Sequence, residues 1–449
     1  MKNNKTRIIK VSVAALLILA LLTTSLVSCE SKREPMPPKD ALYASLEAAT
    51  SEASYTYVAT YLDRWGFTYF YPSKLREVEA IFNQIYINEL PSAYELALVV
   101  ARDFLDNRYD KTDLTDITAT TTAIIDAYVA ATGDRYAVYR RPVEYDDYHQ
   151  DMSGEYCGIG VSIEYDRNLG TMRVTAVTKD SPAEEAGFAA NDYIIAVNGT
   201  SIEVLGYEGT ATAIKGIEGT TVDVTVLRGE AEITLTATRR KLIDRTVYYD
   251  LSDDGIGYIQ ITTFKSNTSQ LFAEAIDYMK ENEAKGIIFD LRSNPGGYLL
   301  AVLEMLEYIA PEGHVITSYT YKDEFGVSHT EEHKTTDPNA LDIPCAILCN
   351  KSTASAAELF TSTIRDWGQM GIIEEIVVGT QTYGKGIMQN TYKLRDESTL
   401  TLTIAYYYTP LGENYQGYGI KPDVTVEAST DNDTQLESAI VELWAMIEN

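Results

Sequence analysis

Residues 285–297 constrain the fold more than any other stretch of the chain. Lys285-Gly286-Ile287-Ile288-Phe289-Asp290-Leu291 is a near-continuous apolar strand that runs into Arg292-Ser293-Asn294-Pro295-Gly296-Gly297 and then a helix from about Leu299 to Ile309. A strand that is apolar on both faces belongs in a sheet covered on both sides, as in parallel α/β sheets. The same rhythm recurs nearby. Gly257 to Ile261 precedes a helix over Ser269–Asn282, with Leu271, Phe272, Ala275, Ile276 and Met279 on one face. Pro344 to Cys349 precedes a helix from Ala354 to about Trp367, and Glu375 to Val378 is a further buried strand. Loops at the C-terminal ends of such strands are where α/β folds carry their chemistry.

Two of these loops carry reactive groups. Asn350-Lys351-Ser352-Thr353-Ala354-Ser355-Ala356-Ala357-Glu358 holds Ser355 where a strand hands over to a helix. Gly379-Thr380-Gln381-Thr382-Tyr383-Gly384-Lys385-Gly386 holds Lys385, with Gln389 four residues on. If the loops meet, they make a Ser-Lys nucleophilic site. Free backbone N–H groups at a helix start suit a developing oxyanion, so Ala356 is one expected donor and Gly296 or Gly297 the second. Apolar surroundings lower the pKa of a lysine and make it a competent base. Gln389 is the expected orienter of the amine. Ser352 and Thr353 are rival hydroxyls, and a helix N-cap is the plain alternative for any member of the run.

The rest of the chain fits around this core. Lys2, Lys5, Arg7 and Lys10 precede an apolar run from Val11 to Leu22, and Leu26-Val27-Ser28-Cys29 follows. About twelve apolar residues fall short of the roughly 20 that span a bilayer, so residues 1–28 read as an export signal of lipoprotein type, with Cys29 as the lipidated residue. Residues 29–39, with Pro35, Pro37 and Pro38, read as a tether. Residues 40–153 read as a helical domain: Val78, Ile81, Phe82, Ile85 and Tyr86 keep helical spacing, as do Leu96 to Phe104 and Ile117 to Ala131. Residues 241–430 hold the catalytic core, and 431–449 read as a C-terminal helix.

Residues 154–240 have the texture of a small β-rich module. Gly158-Ile159-Gly160-Val161 opens a strand, Met172 to Val177 is a second, and Ser181-Pro182-Ala183 starts a short helix that Gly187 ends. Asp192 to Val197 leads into an Asn198-Gly199 turn, and two alternating strands flank Arg228-Gly229. The stretch resembles a PDZ domain. The resemblance implies that Gly158, Ile159 and Gly160 receive a peptide carboxylate while a strand edge takes the peptide.

Composition narrows the partners. The chain has 66 acidic and 37 basic residues, a balance that excludes nucleic-acid binding through a general field. Cys345 and Cys349 lie roughly 13 Å apart on an extended strand, too far for a disulfide. With Cys157 they form no metal-binding pattern, and His329 and His333 read as solvated loop residues.

Across nearly all of its mature length the sequence resembles the C-terminal processing peptidases, or tail-specific proteases. The motifs are Asp290 to Gly297, Thr353 to Glu358, Gly379 to Gln389, Tyr408-Thr409-Pro410-Leu411-Gly412 and Gly417-Tyr418-Gly419-Ile420-Lys421-Pro422-Asp423. Thr353 and Ala357 stand where the family has serines, and Gly371 to Glu375 lengthen the gap to Lys385. The resemblance implies a multidomain α+β fold: a helical N-terminal region, a PDZ-like β module and an α/β sheet-based catalytic core. It implies Ser355 as nucleophile, Lys385 as base, Gln389 as support, and Gly296 and Ala356 as oxyanion donors. It implies no metal or other cofactor. The expected partners are proteins or peptides with accessible C-termini, the membrane through the lipid on Cys29, and a second copy in a candidate homodimer. Competing readings are a non-catalytic peptide-binding scaffold and an esterase or amidase with the same Ser-Lys chemistry.

Overall fold

The computed structural model describes residues 34–49, 55–166, 170–323, 325–336 and 341–448. The expected leader over 1–28 and Cys29 lie outside the described residues. The chain divides into two compact units, one within residues 1–80 and 90–133, the other within 81–89 and 134–449. No helix among the described residues is long and apolar enough to cross a membrane.

The first unit is helical, as expected. Its elements are α1 (Lys39–Glu47), α2 (Val58–Arg64), residues 72–80 of α3 (Pro72–Ile85), α4 (Ala93–Asp103) and α5 (Ile117–Ala131). Ser92 starts α4 through a capping box with Glu95, and Asp116 caps α5 through the N–H of Thr118. Leu62, Phe67, Phe70, Leu96, Val100, Phe104 and Ile124 are buried. Two expectations are corrected here. The tether expected to run to 39 is packed at its end: Met36 is buried, and the Pro37 carbonyl accepts the Tyr109 hydroxyl at 2.9 Å. The helical domain expected to reach 153 has helix up to residue 152, but its compact unit ends at 133. β1 (Val138–Arg140) pairs with the late strand Thr399–Tyr408, which draws it and α6 (Pro142–Met152) into the second unit.

The β-rich module contains β2 (Glu155–Gly158), β3 (Val161–Asp166), β4 (Thr171–Val177), α7 (Pro182–Ala186), β5 (Tyr193–Val197), β6 (Thr200–Ser201), α8 (Ile202–Ile214), β7 (Thr221–Arg228), β8 (Ala231–Thr238) and β9 (Arg240–Ile243). Its sheet runs β3-β4-β5-β7-β8, so β3 is an edge strand. Ser181 caps α7, Pro182 occupies its first turn and Gly187 closes it in a left-handed conformation, as the sequence predicts. Helix α8 escaped the sequence reading because Gly206 breaks its helical pattern. Arg239 closes its far end by donating to the carbonyls of Ile214 and Ala213 at 3.0 and 2.8 Å.

The catalytic core begins with β10 (Val247–Leu251), β11 (Ile256–Ile261), α9 (Thr268–Glu281), β12 (Gly286–Asp290), α10 (Leu299–Ile309), β13 (Val315–Lys322) and β14 (Ser328–Lys334). It continues through β15 (Cys345–Cys349), α11 (Ala356–Gln369), β16 (Glu375–Gly379), β17 (Ile387–Lys393), β18 (Thr399–Tyr408), β19 (Val424–Thr425) and α12 (Thr434–Ile447). One sheet has the order β10-β11-β12-β15-β16-β19 and is parallel from β11 onward. Alternate residues feed opposite faces. Ile287, Phe289, Ile347 and Val377 pack with α9, α10 and α11, whereas Ile288, Ala346, Leu348 and Val378 pack with Ala439 and Leu443 of α12. Coverage on both faces explains the unbroken apolar strands. A second, antiparallel sheet runs β1-β18-β13-β14, with β17 also on β18. Its outer strand β14 corrects the loop expected around His329 and His333. The histidines pair with Asp323 and Glu307 on an exposed edge, where cross-strand bonding to β13 outweighs the polar composition.

Candidate active site

Ser355 sits between β15 and α11 with φ 57° and ψ −118°, a backbone geometry that a serine holds only under constraint. The constraint is visible. Just upstream, the Ala354 N–H donates to the Asn294 carbonyl at 2.9 Å. Thr353 is buried, and its hydroxyl donates to the Leu291 carbonyl at 2.8 Å while accepting the Asn350 N–H. That commits one rival hydroxyl to holding the loop, while Ser352 is exposed.

Gly296 presses against this turn from the neighbouring strand's loop. A Cβ there would stand 2.7 Å from the Ala354 carbonyl oxygen, 2.8 Å from Ser355 Cβ and 3.0 Å from the Ala356 nitrogen, and its φ is +98°. Only glycine meets both demands. Ala356 opens α11, so its N–H lacks an intrahelical acceptor. The Gly296 N–H, by contrast, donates to Oδ1 of buried Asn294 at 2.8 Å. The N–H of Gly297 has no acceptor among the described residues and is the freer donor of the pair.

The lysine loop is fixed to the serine loop through Glu358. This buried carboxylate accepts the Ser355 and Lys385 N–H groups on Oε2 at 2.9 and 2.7 Å. It accepts the Gly384 N–H and the Thr382 hydroxyl on Oε1, both at 2.6 Å. Burial pushes the Glu358 pKa up, and the four donors oppose that shift. The other side of the loop is braced from 414–420. Gln416 Oε1 accepts the Gly386 N–H at 2.8 Å, the Gly417 N–H donates to the Gly384 carbonyl at 2.9 Å, and Thr382 exchanges two hydrogen bonds with the backbone of Ile420.

Lys385 is half-buried, and burial is the main cause lowering its pKa. Arg135 lowers it further, against Asp134 and Glu358. Its amine lies 4.7 Å from the ring centroid of Tyr136. Among the described residues it has no hydrogen bond to Ser355 or to Gln389. Gln389 is on β17, and its Nε2 is buried without a partner. The structure therefore brings the serine and lysine loops together but does not join the amine to its expected orienter. Sequence reasoning missed Asp134, Arg135 and Tyr136, which no local motif connects to Lys385. It also missed Glu358, which the Ser-x-x-Glu spacing of a capping box could have revealed.

In the β-rich module, Ile159 is buried and its carbonyl accepts the Ala183 N–H at 2.8 Å. Gly158 ends β2, opposite Arg240. Gly160 has φ +87°, and a Cβ there would meet Ser181 Cβ at 2.5 Å. The loop leads directly into edge strand β3.

Comparison with known proteins agrees with this architecture. The family model for peptidase family S41 matches residues 255–426, and a PDZ-domain model matches residues 173–228. The protein named "Probable CtpA-like serine protease" of Staphylococcus aureus (strain bovine RF122 / ET3-1) is 30% identical over 345 residues, which is 77% of this chain and 66% of that protein. The chain belongs to peptidase family S41. Its S41 match encloses Gly296, Ser355, Ala356, Lys385 and Gln389. A like-named protein of Staphylococcus haemolyticus (strain JCSC1435) is 33% identical over 307 residues, 68% of this chain and 59% of that protein. The chain thus spans between 59% and 66% of the length of these relatives. The crystal structure of a candidate S41 protease from Bacteroides fragilis NCTC 9343 superposes with TM-score 0.51 at 17% identity, covering 82% of this chain and 97% of that one, a likeness of fold.

Proposed function

We propose that this S41 chain is a serine endopeptidase that cuts peptide bonds near the C-termini of extracytoplasmic proteins. The carrying observation is the Glu358 carboxylate, which holds the backbones of Ser355 and Lys385 on one oxygen beside the open N–H of Ala356. The names of the staphylococcal relatives support the reading. In the neutral form Lys385 takes the proton of the Ser355 hydroxyl as Oγ attacks the scissile carbonyl. The oxyanion is held by the Ala356 N–H and a donor from the Gly296-Gly297 turn, for which Gly297 is open. The lysine ammonium then protonates the leaving amine, and water releases the acyl group from Ser355. Gln389 steadies the amine during these transfers.

The PDZ-like module recruits the substrate. The Gly158-Ile159-Gly160 loop takes the terminal carboxylate, and the peptide adds to the edge of β3. A lipid on Cys29 holds the body at the outer face of the membrane.

The test uses the full chain beside Ser355→Ala and Lys385→Ala, with an unstructured protein offered with a free or an amidated C-terminus. The expected result is cleavage by the parent alone, faster for the free terminus. Binding without cleavage by every form would make the protein a peptide-binding scaffold instead. Equal cleavage of both termini would remove the tail specificity and keep the peptidase.

A further inference from the structure

The amine of Lys385 rests on an aromatic ring rather than on the serine it is meant to serve. Its nitrogen is 4.7 Å from the centroid of Tyr136, within the range of a cation–π contact. Such a contact favours the ammonium, which has no lone pair and cannot accept a proton from Ser355.

The ring's position is fixed from several directions. Just before it, Asp134 accepts the N–H and hydroxyl of Thr403 at 2.8 and 3.0 Å. Just after it, β1 pairs with β18 from Val138 to Arg140. The Tyr136 hydroxyl accepts from Arg135 at 2.7 Å and also hydrogen-bonds Tyr383, two residues before Lys385. The lysine backbone is fixed in turn by Glu358. Ring and lysine loop are thus held in register, and the freedom that remains lies in the lysine side chain. The guanidinium of Arg135 also lies over the Tyr136 ring, 4.8 Å from its centroid. Two cations on one ring repel each other, which makes the lysine contact breakable.

Gln389 supplies an independent sign that the amine is away from its working place. Its Nε2 is buried and has no partner, although a buried amide donor normally has one. Turned over about its last bond, the amide would offer Oε1 to an amine N–H and leave that amine's single lone pair for the Ser355 proton.

We propose that Tyr136 is a positioning residue that latches the Lys385 amine away from Ser355, and that the chain reaches its competent state when the amine leaves the ring. The inference rests on the Ser355–Lys385 reading and adds a regulation of that site. The charged and titratable groups facing the amine are Asp134 and Glu358, which favour the ammonium, Arg135, which opposes it, and the phenols of Tyr136 and Tyr383.

The test is the rate at which a fluorophosphonate modifies the full chain as a function of pH. In that reaction Ser355 Oγ bonds to phosphorus, fluoride leaves, and Lys385 receives the hydroxyl proton. No PDZ ligand is needed, so tail binding does not enter. Tyr136→Leu and Tyr136→Met remove the ring while filling its volume, and Tyr136→Phe keeps the ring. The two ringless variants should react roughly three- to thirty-fold faster on the acid limb, the range spanned by cation–π contacts. Their acid limb should move to lower pH by about one unit, because an amine without the ring holds its proton less firmly. Tyr136→Phe should follow the parent profile. Two folded ringless variants that keep the parent's rate and midpoint, or react more slowly, would overturn the latch. A parent that is not modified at Ser355, or that reacts equally well as Lys385→Ala, would overturn the Ser-Lys assignment and the latch with it.

Discussion

Ser355 and Lys385 donate their backbone N–H groups to the same carboxylate oxygen, Oε2 of Glu358, at 2.9 and 2.7 Å. Two loops that follow different strands of the parallel sheet are thereby fixed to one atom. The proposed nucleophile and base cannot drift apart without breaking hydrogen bonds to this buried carboxylate. Glu358→Gln would put an amide NH2 among groups that are all donors. Each buried donor left unpaired costs ~1–3 kcal/mol, so the melting temperature should fall. Displacement of the reacting groups should lower kcat by roughly 100-fold with KM little changed. Unchanged kcat in a folded variant would show that the carboxylate only stabilises the fold.

Gly296→Ala should remove activity while leaving the remainder of the molecule folded. The added methyl would meet the Ala354 carbonyl, Ser355 and the Ala356 nitrogen at once, at a φ of +98°. The strain is about 1–3 kcal/mol, small against the stability of a core this size. The check is a near-parental circular dichroism spectrum with lost fluorophosphonate labelling.

Activity should rise with pH below the ordinary lysine range. The pKa of Lys385 is lowered from 10.5, first by burial and then by Arg135. A base acts in its neutral form, so kcat/KM climbs as pH passes upward through that lowered value. Lys385→Arg keeps the charge but cannot lose its proton. It should be slower by roughly 100- to 10,000-fold and show no such limb.

Stability should change with pH in a way traceable to Glu375. This side chain lies under α11, where burial, then Asp423 and Asp366, outweigh Arg365 and push its pKa from 4.5 to about 8. The folded chain then holds a proton that the unfolded chain releases between those values. Its contribution is complete below pH 4.5 and is lost as pH rises through about 8. Glu79 behaves alike in the helical unit, with a pKa also raised to about 8 by burial. Denaturant unfolding at pH 5 and pH 9 should therefore show a smaller loss in Glu375→Gln than in the parent. The difference is on the order of a few kcal/mol. Equal slopes in both proteins would exclude Glu375 as a source.

What the sequence revealed follows a physical pattern. The parallel strands were legible because burial on both faces leaves unbroken apolar runs, as in Ile287 to Phe289. Ser355, Lys385 and Gly296 were legible because each lies in a short loop whose residue types are themselves unusual. Tyr136 was not, because its approach to Lys385 is made by β1 joining β18, a pairing between distant segments that no local pattern announces. The hairpin of β13 and β14 was missed because His329 to Lys334 is polar throughout, and its pairing comes from the neighbouring strand rather than from alternation. The motif at Gly417 to Ile420 was visible only as a likeness. The structure gives it a physical task, closing the lysine loop from behind.

That closing has a consequence for how the protein is made. The brace formed by Gln416, Gly417 and Ile420 leaves the ribosome about thirty residues after Lys385. Until it arrives, the Gly384 carbonyl lacks the Gly417 N–H, the Gly386 N–H lacks Gln416 Oε1, and Thr382 is missing its tie to Ile420. A nascent chain would therefore carry every reactive side chain without a working arrangement of them. The order of the polypeptide itself thus delays completion of the candidate site until residues 416–420 have emerged.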